Sequence, residues 1–496
     1  MSALALLATR GGRASRGAKV LKRHVVDLDL GHPGHVSAAD LDKATINQLR
    51  PLAADRVSVL LGAGASAGAG LPGWDALARD LLVRSGAVGN HTEASTFLAR
   101  QDAILAAEAA KAATSDFASL LRQTLYDGPT APEPAVLHLA AAALAARHNP
   151  GTVQLHTLNF DTLLGDALRL ALAESGIKAE VHERAESRQG PPDAYVVNHL
   201  HGILPPDPAA PDRGIVLTLS DFARLGAEPH PWQVAALQDS IQKGPLILAG
   251  TSYRDPDIRQ WLHSTHKDHE VAVLLAREAI GLDRATFERL KPALENQWTA
   301  IGVRPVTLHD HADAAQALRE LPHLCEPDYR SPQERAATVW AQQASKFRWG
   351  QQFHNQQLQD HVDQLRPHLG DEANLTLWIA DGCGRLVRWS APDRTYVDPA
   401  QLRRVEVGHD SAWVAGQCLG RDDVLAADLD GPRGATQRWR SVVAAPITVE
   451  VDGGPAFSSA VLTSASPRTL KELDADAWQQ ELLELASQWG DLLSLI

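Results

Sequence analysis

The 496-residue sequence lacks several features that would mark a secreted, membrane-spanning or nucleic-acid-binding protein. Its three cysteines, Cys325, Cys383 and Cys418, are far apart and show no CxxC spacing, which excludes a zinc site made of cysteines and argues against a disulfide framework. No apolar run reaches about 18 residues, so we expect no transmembrane helix. The net charge of −13 argues against broad binding to nucleic acid or anionic membranes. These absences favour a cytoplasmic protein with no membrane partner and no direct nucleic-acid partner.

The N-terminal segment departs from this acidic balance. Residues 1–26 contain six Lys or Arg and no Asp or Glu. This composition resembles a transit peptide, although a signal-peptide core of proper length is missing. A disordered basic extension, or a start codon assigned too far upstream, accounts for the segment more simply. We therefore treat residues 1–50 as a basic N-terminal extension.

Strand-like and helix-like segments alternate over residues 55–325. Several strand candidates are continuous apolar runs, as in strands that are covered on both faces, and the alternation predicts a doubly wound, Rossmann-like, mostly parallel α/β sheet. The strand candidates are residues 57–61, 152–158, 178–183, 194–200, 214–219, 245–250, 270–276 and 304–308, and the helix candidates are residues 161–174, 231–242, 256–264 and 283–297. Ala- and Leu-rich residues, about 75–150, predict a helical insertion after the first strand that could wall a pocket above the sheet.

The sequence changes character after residue 325. A polar, Gln-rich run predicts a helical connector over residues 326–370, which could also be a coiled dimer seam. Short alternating strands and a closing helix then predict a smaller α+β domain over residues 371–496. The predicted catalytic domain, residues 51–325, therefore precedes a separate module.

A glycine-rich turn follows the first predicted strand, in RVSVLLGAGASAGAGLPGW (residues 56–74). Glycine is kept where φ must be positive or where something approaches the backbone closely, and a phosphate is the usual ligand of such a turn. The stretch lacks the spacing of the GxGxxG dinucleotide fingerprint, so a tight turn without a ligand is an alternative when the stretch is taken alone.

Three more polar stretches follow predicted strands: HTLNFDTLL, NHLHG and GTSYRDPDI. In open α/β sheets the ligand lies outside the carboxyl ends of the strands, so these stretches and the glycine turn would converge on one crevice. Any one of them could be a helix cap, as Asp255 before Pro256 could be. Together they indicate a binding site. The residues they supply are Thr157, Asn159, Asp161, His199, His201, Gly202, Gly250, Thr251, Ser252, Asp255 and Asp257.

The sequence resembles the NAD-binding domain of the sirtuins through four motifs in this order: GAGAS…GLP, LNFD, HG and GTS. With LTLSDF (residues 217–222) and DPDI added, it resembles the bacterial sirtuin-like branch of that family. The resemblance covers about residues 50–325. It implies that NAD is the substrate and that Asn159, Asp161 and His201 are catalytic, with His201 as general base at the nicotinamide ribose. It implies further NAD contacts from Gly62, Ala63, Gly64 and Ser66 at the pyrophosphate, from Thr157, and from Gly250, Thr251, Ser252 and Asp257 toward the adenosine half. His156 and His199 occupy strand positions and are expected to be core residues.

Two departures from the family decide which reaction is expected. Deacylating sirtuins carry a four-cysteine zinc module, which this chain is unable to build, and no metal is expected. They continue the glycine loop as GIPxFR, whereas this sequence reads GLPGW, with Trp74 near the place of the Phe and no Arg after it. With water as the acceptor, the same site hydrolyses NAD to ADP-ribose and nicotinamide, the expected activity of many bacterial sirtuin-like proteins that act in defence against phage. The alternatives are an NAD-dependent protein deacylase, an ADP-ribosyltransferase, or a non-catalytic NAD or ADP-ribose sensor.

The C-terminal region resembles a GAF domain over residues 374–496, through LTLWIADGCGRLVRWS, VGHDSAWVAGQCLGRDDVLAADL and WRSVVAAPITVE. The resemblance implies either a cup for a small molecule or a dimer module. Trp378, Trp389, Trp413 and Trp439 could line such a cup, or they could be core residues. We expect a homo-oligomer whose C-terminal domain responds to a small-molecule or protein trigger.

Overall fold

The structure, a computed structural model, describes residues 41–128, 131–187, 190–191, 193–251, 256–370, 372–429, 438–473 and 475–494. The chain divides into two compact units. One is residues 51–322, and the other combines the described residues before 51 with those from 323 onward. Helix α1 (Lys43–Leu49) belongs to the second unit, where Arg50 Nη1 donates to the Leu324 carbonyl at 2.6 Å.

The first unit is built on a seven-stranded parallel sheet of order β3-β4-β2-β1-β5-β6-β7. Apolar side chains bury both faces of the central strands, which the continuous apolar runs predicted. The fold class is therefore the doubly wound α/β class expected from the sequence. The strands are β1 (Ser58–Leu61), β2 (Leu155–Thr157), β3 (Val181–Arg184), β4 (Tyr195–His199), β5 (Leu246–Ala249), β6 (Val271–Ala276) and β7 (Arg304–Leu308).

Helices cover the sheet and fill the segment between β1 and β2. After the glycine turn, α2 (Ala63–Ala67) leads into α3 (Trp74–Arg84), α4 (His91–Leu98), α5 (Ala103–Ala112), α6 (Phe117–Tyr126) and α7 (Val136–Ala146). Side-chain caps begin three of them, at Asn90, Asp102 and Asp116. The remaining helices of this unit are α8 (Leu163–Glu174), α9 (Leu219–Gly226), α10 (Trp232–Lys243), α11 (Pro256–Ser264), α12 (Arg284–Thr299) and α13 (His311–Glu320).

One predicted strand, residues 214–219, is wrong. The chain there forms a loop that is buried at residues 216–218, and then the first turn of α9, which begins at a capping box between Thr218 and Asp221. The Thr218 hydroxyl donates to Asp221 Oδ2 at 2.7 Å, and the Thr218 amide donates to the same oxygen at 3.1 Å. Because this box satisfies the helix start locally, it overrides the strand preference of the Ile-Val-Leu run.

The second unit contains a six-stranded antiparallel sheet of order β10-β9-β8-β13-β12-β11. Its strands are β8 (Asn374–Ala380), β9 (Arg385–Ser390), β10 (Arg404–Glu406), β11 (Leu425–Asp428), β12 (Ser441–Val449) and β13 (Phe457–Ser466). Its helices, besides α1, are α14 (Pro332–Ser345), α15 (Phe347–Leu369), α16 (Val414–Arg421) and α17 (Ala475–Ser494). The short edge strands β10 and β11 were not predicted, since three or four residues carry too little alternation to detect.

The residues predicted to be a connector contribute directly to the core of this unit. Phe347 and Leu358 of α15 are buried in the same apolar cluster as Trp389 of β9 and Trp489 of α17. Two hydrogen bonds link α15 to these tryptophans: Trp389 Nε1 donates to His354 Nδ1 at 2.8 Å, and Trp489 Nε1 donates to His361 Nδ1 at 3.2 Å. These helices therefore stabilise the antiparallel sheet.

The four tryptophans proposed for a cup have different environments. Trp378 and Trp389 are buried, Trp439 is half-buried, and Trp413 is exposed with Arg403 stacked 4.9 Å from its ring centre. Trp378 Nε1 donates to Thr463 Oγ1 at 3.0 Å, which satisfies its polar atom within the sheet. Two of the four are thus core residues.

Among the described residues, no helix is both long and apolar enough to span a membrane. The basic segment 1–40, together with Ser252 and Asp255 of the GTS stretch, lies outside the described residues.

Candidate functional site

The predicted site residues follow four neighbouring strands whose carboxyl ends are in register. Thr157 of β2 pairs with Leu61 of β1 and with His199 of β4, and Leu61 pairs in turn with Ala249 of β5. The chain leaves β1 toward β2 on one side and returns to β5 on the other, so β1 lies at the topological switch point of the sheet. Ligands of open α/β sheets bind at this point.

The glycine turn allows two loops to approach each other closely. A Cβ on Gly62 would lie 2.6 Å from the Gly250 carbonyl oxygen, and a Cβ on Gly64 would lie 2.4 Å from Cε1 of His311. The Gly62 amide donates to the Ala249 carbonyl at 3.0 Å, and the Gly64 amide donates to the Gly250 carbonyl at 2.8 Å. Of the four residues predicted for a pyrophosphate, Gly62 and Gly64 thus have amides that are bonded within the protein, whereas Ala63 between them is exposed.

Asn159 is buried, and its side-chain amide group is fixed by two acceptors. Nδ2 donates to the Gly62 carbonyl at 3.1 Å and to Ser66 Oγ at 2.7 Å. Its backbone amide donates to Thr157 Oγ1 at 2.9 Å, which holds the turn after β2. In the described part of the chain, Asn159 Oδ1 has no hydrogen-bond partner. The amide oxygen is therefore the end left for a ligand.

Ser66 and Asp161 complete this network. The Ser66 hydroxyl donates to Asp161 Oδ2 at 2.7 Å, and Asp161 Oδ1 accepts from the Leu163 amide at 3.1 Å, at the start of α8. Both side chains are buried. Ser66 was expected to hold phosphate, but this geometry favours a different role, in which its hydroxyl joins Asn159 to Asp161.

A third buried group, His138 of α7, was missed by the sequence reasoning. Its Nε2 lies 3.4 Å from Ser66 Oγ, and its Nδ1 accepts from the Ala135 amide at 3.2 Å. Burial holds the pKa of His138 below its usual value of 6.5, against an opposing effect of Asp161. One signal was available, because His138 is the only polar residue in AVLHLAAAALAA (residues 135–146).

His201 lies two residues beyond β4, buried between aromatic rings. Phe222 and Trp261 contact its imidazole edge-on, each with ring centres 5.7 Å apart. Its Nε2 lies 3.4 Å from Asp257 Oδ2, in the first turn of α11. The structure thus places Asp257 against the predicted general base, whereas the sequence reasoning had assigned it to the adenosine half of NAD.

Gly202 and Gly250 both adopt a positive φ in the loops that follow β4 and β5. Gly202 has a φ of 96°, and a Cβ there would lie 2.4 Å from the Gly214 carbonyl oxygen. Gly250 has a φ of 64°, and its neighbour Thr251 is buried. Within the described residues, Thr251 Oγ1 has no hydrogen-bond partner. A buried hydroxyl in this state is costly, and it marks a place where a ligand could bond.

The other two histidines of these strands are core residues. His156 is fully buried, its Nε2 lies 2.7 Å from Ser240 Oγ of α10, and burial lowers its pKa to about 3. His199 is also fully buried, with Nδ1 3.3 Å from the Asn159 carbonyl and Nε2 3.8 Å from Glu183 Oε1. Each ring therefore has one nitrogen within hydrogen-bonding distance of a neighbour inside the unit, as expected of core residues.

Several solved structures are similar to parts of the chain. A Sir2 homologue in complex with NAD is 14% identical, covering 59% of this chain and 96% of its own, with a TM-score of 0.29. A Sir2 homologue mutant in complex with ADP-ribose is 15% identical, covering 53% and 99%, with a TM-score of 0.29. Free methionine-R-sulfoxide reductase from Neisseria meningitidis, in complex with its substrate, is 16% identical, covering 32% and 87%, with a TM-score of 0.20.

No curated protein matches the chain. A known protein family matches one part of the first unit, which begins just before β2 and ends in β7. This part contains Asn159, Asp161, His201, Thr251 and Asp257. Residues 153–305 match the family model of the SIR2-like domain.

Proposed function

We propose that residues 51–322 form an NAD glycohydrolase, which cleaves NAD to ADP-ribose and nicotinamide. The observation that carries the proposal is the buried network in which Ser66 and the Gly62 carbonyl fix the amide of Asn159 beside the loop of His201. The match of residues 153–305 to the SIR2-like domain supports NAD as the ligand of this site.

The reaction breaks the bond between ribose C1′ and the nicotinamide nitrogen. The bonding electron pair leaves with the nicotinamide ring, and positive charge develops on the sugar. A water oxygen then bonds to C1′, and one of its protons leaves to a base. The protein has to orient the ribose and the water, stabilise the positive charge, and accept a proton.

We assign each of these tasks to a side chain among the described residues. Oδ1 of Asn159 accepts a hydrogen bond from a ribose hydroxyl or from the water, since Nδ2 is already bonded on both sides. The Asp161 carboxylate, buried behind Ser66, adds negative charge on the side where the sugar becomes positive. His201 accepts the proton, and Asp257 Oδ2, 3.4 Å from its Nε2, stabilises the ring once it is charged.

The rest of NAD requires further contacts. Exposed Ala63, between Gly62 and Gly64, is assigned to the pyrophosphate. The Thr251 hydroxyl, next to Gly250, is buried and has no hydrogen-bond partner among the described residues, so we assign it to a ribose or phosphate oxygen. Ser252 completes the set predicted for the adenosine half.

Hydrolysis is favoured over deacylation by the composition of this unit. All three cysteines lie at or beyond position 325, so residues 51–322 contain none and have no thiolate ligands for zinc. Trp74, which stands near the place of the deacylase Phe, begins α3 and packs half-buried against the apolar clusters of the helical segment. ADP-ribosyl transfer differs only in the acceptor, so a product assay is needed to separate it from hydrolysis.

The test follows nicotinamide release and ADP-ribose formation by the full-length protein. Wild type is expected to form both in equal amounts, whereas Asn159→Ala and His201→Ala lose at least about 100-fold in rate. Ser240→Ala is the matched control, because it removes a buried hydrogen bond of the same unit that lies outside the site. The proposal is wrong if all four proteins release nicotinamide equally, or if wild type removes acyl groups from lysine peptides and consumes no NAD otherwise.

The proposal extends to a role in the cell. The resemblance to bacterial sirtuin-like proteins suggests an antiphage effector that depletes NAD when triggered, with the GAF-like second unit as sensor. Expression of wild type with its trigger is then expected to lower cellular NAD and stop growth, and Asn159→Ala is expected to do neither. Equal growth and equal NAD content in both strains under phage challenge would contradict this role.

Self-association is part of the same proposal. Helix α15 exposes a stripe at positions 349, 352, 353 and 356, with the Trp349 side chain 86% exposed and Phe353 53% exposed. Residues 349–359 contain no charged side chain, so two copies of the stripe would meet without charge repulsion. Apolar exposure of this kind is typical of an interface, and we assign it to a second copy of the chain.

A further inference from the structure

We infer that His138 is a positioning residue for NAD cleavage, acting through Ser66 on the amide of Asn159. This inference rests on the proposed function. It adds a residue from α7, outside the segment that matches the SIR2-like domain.

The protonation of His138 follows from its surroundings. Nδ1 accepts a hydrogen bond from the Ala135 amide at 3.2 Å, so this nitrogen carries a lone pair. The side chain is almost fully buried, and burial holds the pKa below 6.5, which keeps the ring neutral at physiological pH. A neutral imidazole has one proton, which must be on Nε2. That proton points at Ser66 Oγ, 3.4 Å away.

The hydrogen-bonding capacity of the Ser66 hydroxyl is then fully used. A hydroxyl has one proton to donate and can accept two hydrogen bonds. Asn159 Nδ2 donates to Oγ at 2.7 Å and His138 Nε2 donates at 3.4 Å, so among the described residues the acceptor left for the Ser66 proton is Asp161 Oδ2 at 2.7 Å. Because His138 donates to Ser66 Oγ, the hydroxyl has one orientation, in which its proton points at the Asp161 carboxylate.

The hydroxyl acts together with the Gly62 carbonyl to hold the orientation of the amide. Because Ser66 Oγ is held as an acceptor toward Asn159, the NH₂ end of the amide must face it, and Oδ1 is left on the side away from Ser66. A reversed amide would place Oδ1 against the Gly62 carbonyl oxygen and present a donor to the ribose. His138 therefore favours the amide orientation that cleavage needs, without contacting NAD itself.

The test is a double-mutant cycle in the full-length protein. His138→Phe keeps a planar ring of similar size and removes both nitrogens. We expect kcat to fall about fivefold and KM to stay within about twofold, because one neutral hydrogen bond is lost and no substrate contact is removed. In a Ser66→Ala background, His138→Phe is expected to change kcat by less than about twofold, since the group through which it acts is absent. His138→Gln, which keeps a donor, is expected to recover part of the lost rate.

A second pair gives the matched control. His156 and Ser240 form the same kind of buried histidine–serine contact, at 2.7 Å, in the core of the same unit. His156→Phe and Ser240→Ala are expected to couple in thermal stability and to leave kcat unchanged. A His138 effect of equal size with and without Ser66 overturns the positioning role, as does an unchanged kcat in His138→Phe. Wild type that cleaves no NAD, in the tube or in triggered cells, overturns the proposed function itself, and the two failures are thereby distinguished.

Discussion

Replacing Ser66 with alanine tests the buried network at its centre. The substitution removes the hydroxyl that donates to Asp161 and accepts from Asn159 and leaves the backbone of α2 in place. Asp161 keeps the Leu163 amide as a donor to Oδ1, and its Oδ2 loses its only side-chain donor among the described residues. Asn159 Nδ2 keeps the Gly62 carbonyl and loses its second acceptor.

The magnitude follows from these two losses. A hydrogen bond to a buried carboxylate contributes about 1.5–3 kcal/mol, and a buried donor left unsatisfied costs about 1–3 kcal/mol. We therefore expect Ser66→Ala to lower the free energy of unfolding of this unit by about 3–5 kcal/mol, which is a large part of the stability of an ordinary domain. The rate of NAD cleavage is expected to fall about 10- to 100-fold, because the Asn159 amide then loses one of the two acceptors that hold its orientation.

The assay combines urea unfolding of the full-length protein with nicotinamide release at a temperature where every variant is folded. Ser240→Ala is the matched control, a buried serine with a hydrogen bond to His156, and it is expected to lose about 1–3 kcal/mol of stability and no catalytic rate. The reasoning is refuted if Ser66→Ala is destabilised by less than about 1 kcal/mol, or if it cleaves NAD as fast as Ser240→Ala does.

Three other changes have expected outcomes of defined sign. Thr251→Val removes a buried hydroxyl that has no partner in the described part of the chain, so the melting temperature is expected to rise while the KM for NAD increases about tenfold. A fall in stability with KM unchanged would show that the hydroxyl is not kept for a ligand. His156 has a folded pKa of about 3 against 6.5 unfolded, so it takes up its proton more readily when the unit is unfolded, and stability is lost as pH falls from 6.5 toward 3. Between pH 7.5 and pH 5 this loss amounts to about 2 kcal/mol, and urea unfolding at both values is expected to show a smaller loss in His156→Gln. Trp349→Glu introduces a charge into the exposed stripe of α15 and is expected to convert oligomer to monomer in light scattering, whereas an unchanged mass would refute self-association through this stripe.

The sequence predicted the parallel sheet because its strands are buried on both faces. Each such strand needs a continuous apolar run, as in SVLL of β1 and VAVLLA of β6, and such runs are visible without any knowledge of neighbours. The one wrong strand had the same composition. It failed because Thr218 and Asp221, three residues apart, satisfy a helix start by themselves, and local capping outweighed strand propensity.

The candidate site was predicted in part for a topological reason. Residues that follow parallel strands meet at one edge of the sheet, so Asn159 and His201 could be brought together from sequence order alone. The side chains that contact Asn159 and His201 do not follow from strand order. From the first turn of α11, Asp257 could have faced several groups, and the sequence does not say which. In the fold its carboxylate lies 3.4 Å from His201 Nε2, and Trp261 of the same helix packs on the imidazole.

His138 shows the limit of the sequence reasoning most clearly. It lies 72 residues from Ser66 along the chain and within hydrogen-bonding reach of it in the fold, and no strand register relates α7 to the glycine turn. The feature that could have identified His138 is the cost of burying a polar group. An Ala- and Leu-rich helix is buried most favourably when it has no polar side chain. One histidine in its apolar run raises the free-energy cost of burial unless both ring nitrogens have hydrogen-bond partners. Ala135 and Ser66 are those partners. A lone polar residue in such a helix therefore predicts that a polar group faces it, and here that group is the hydroxyl beside Asn159.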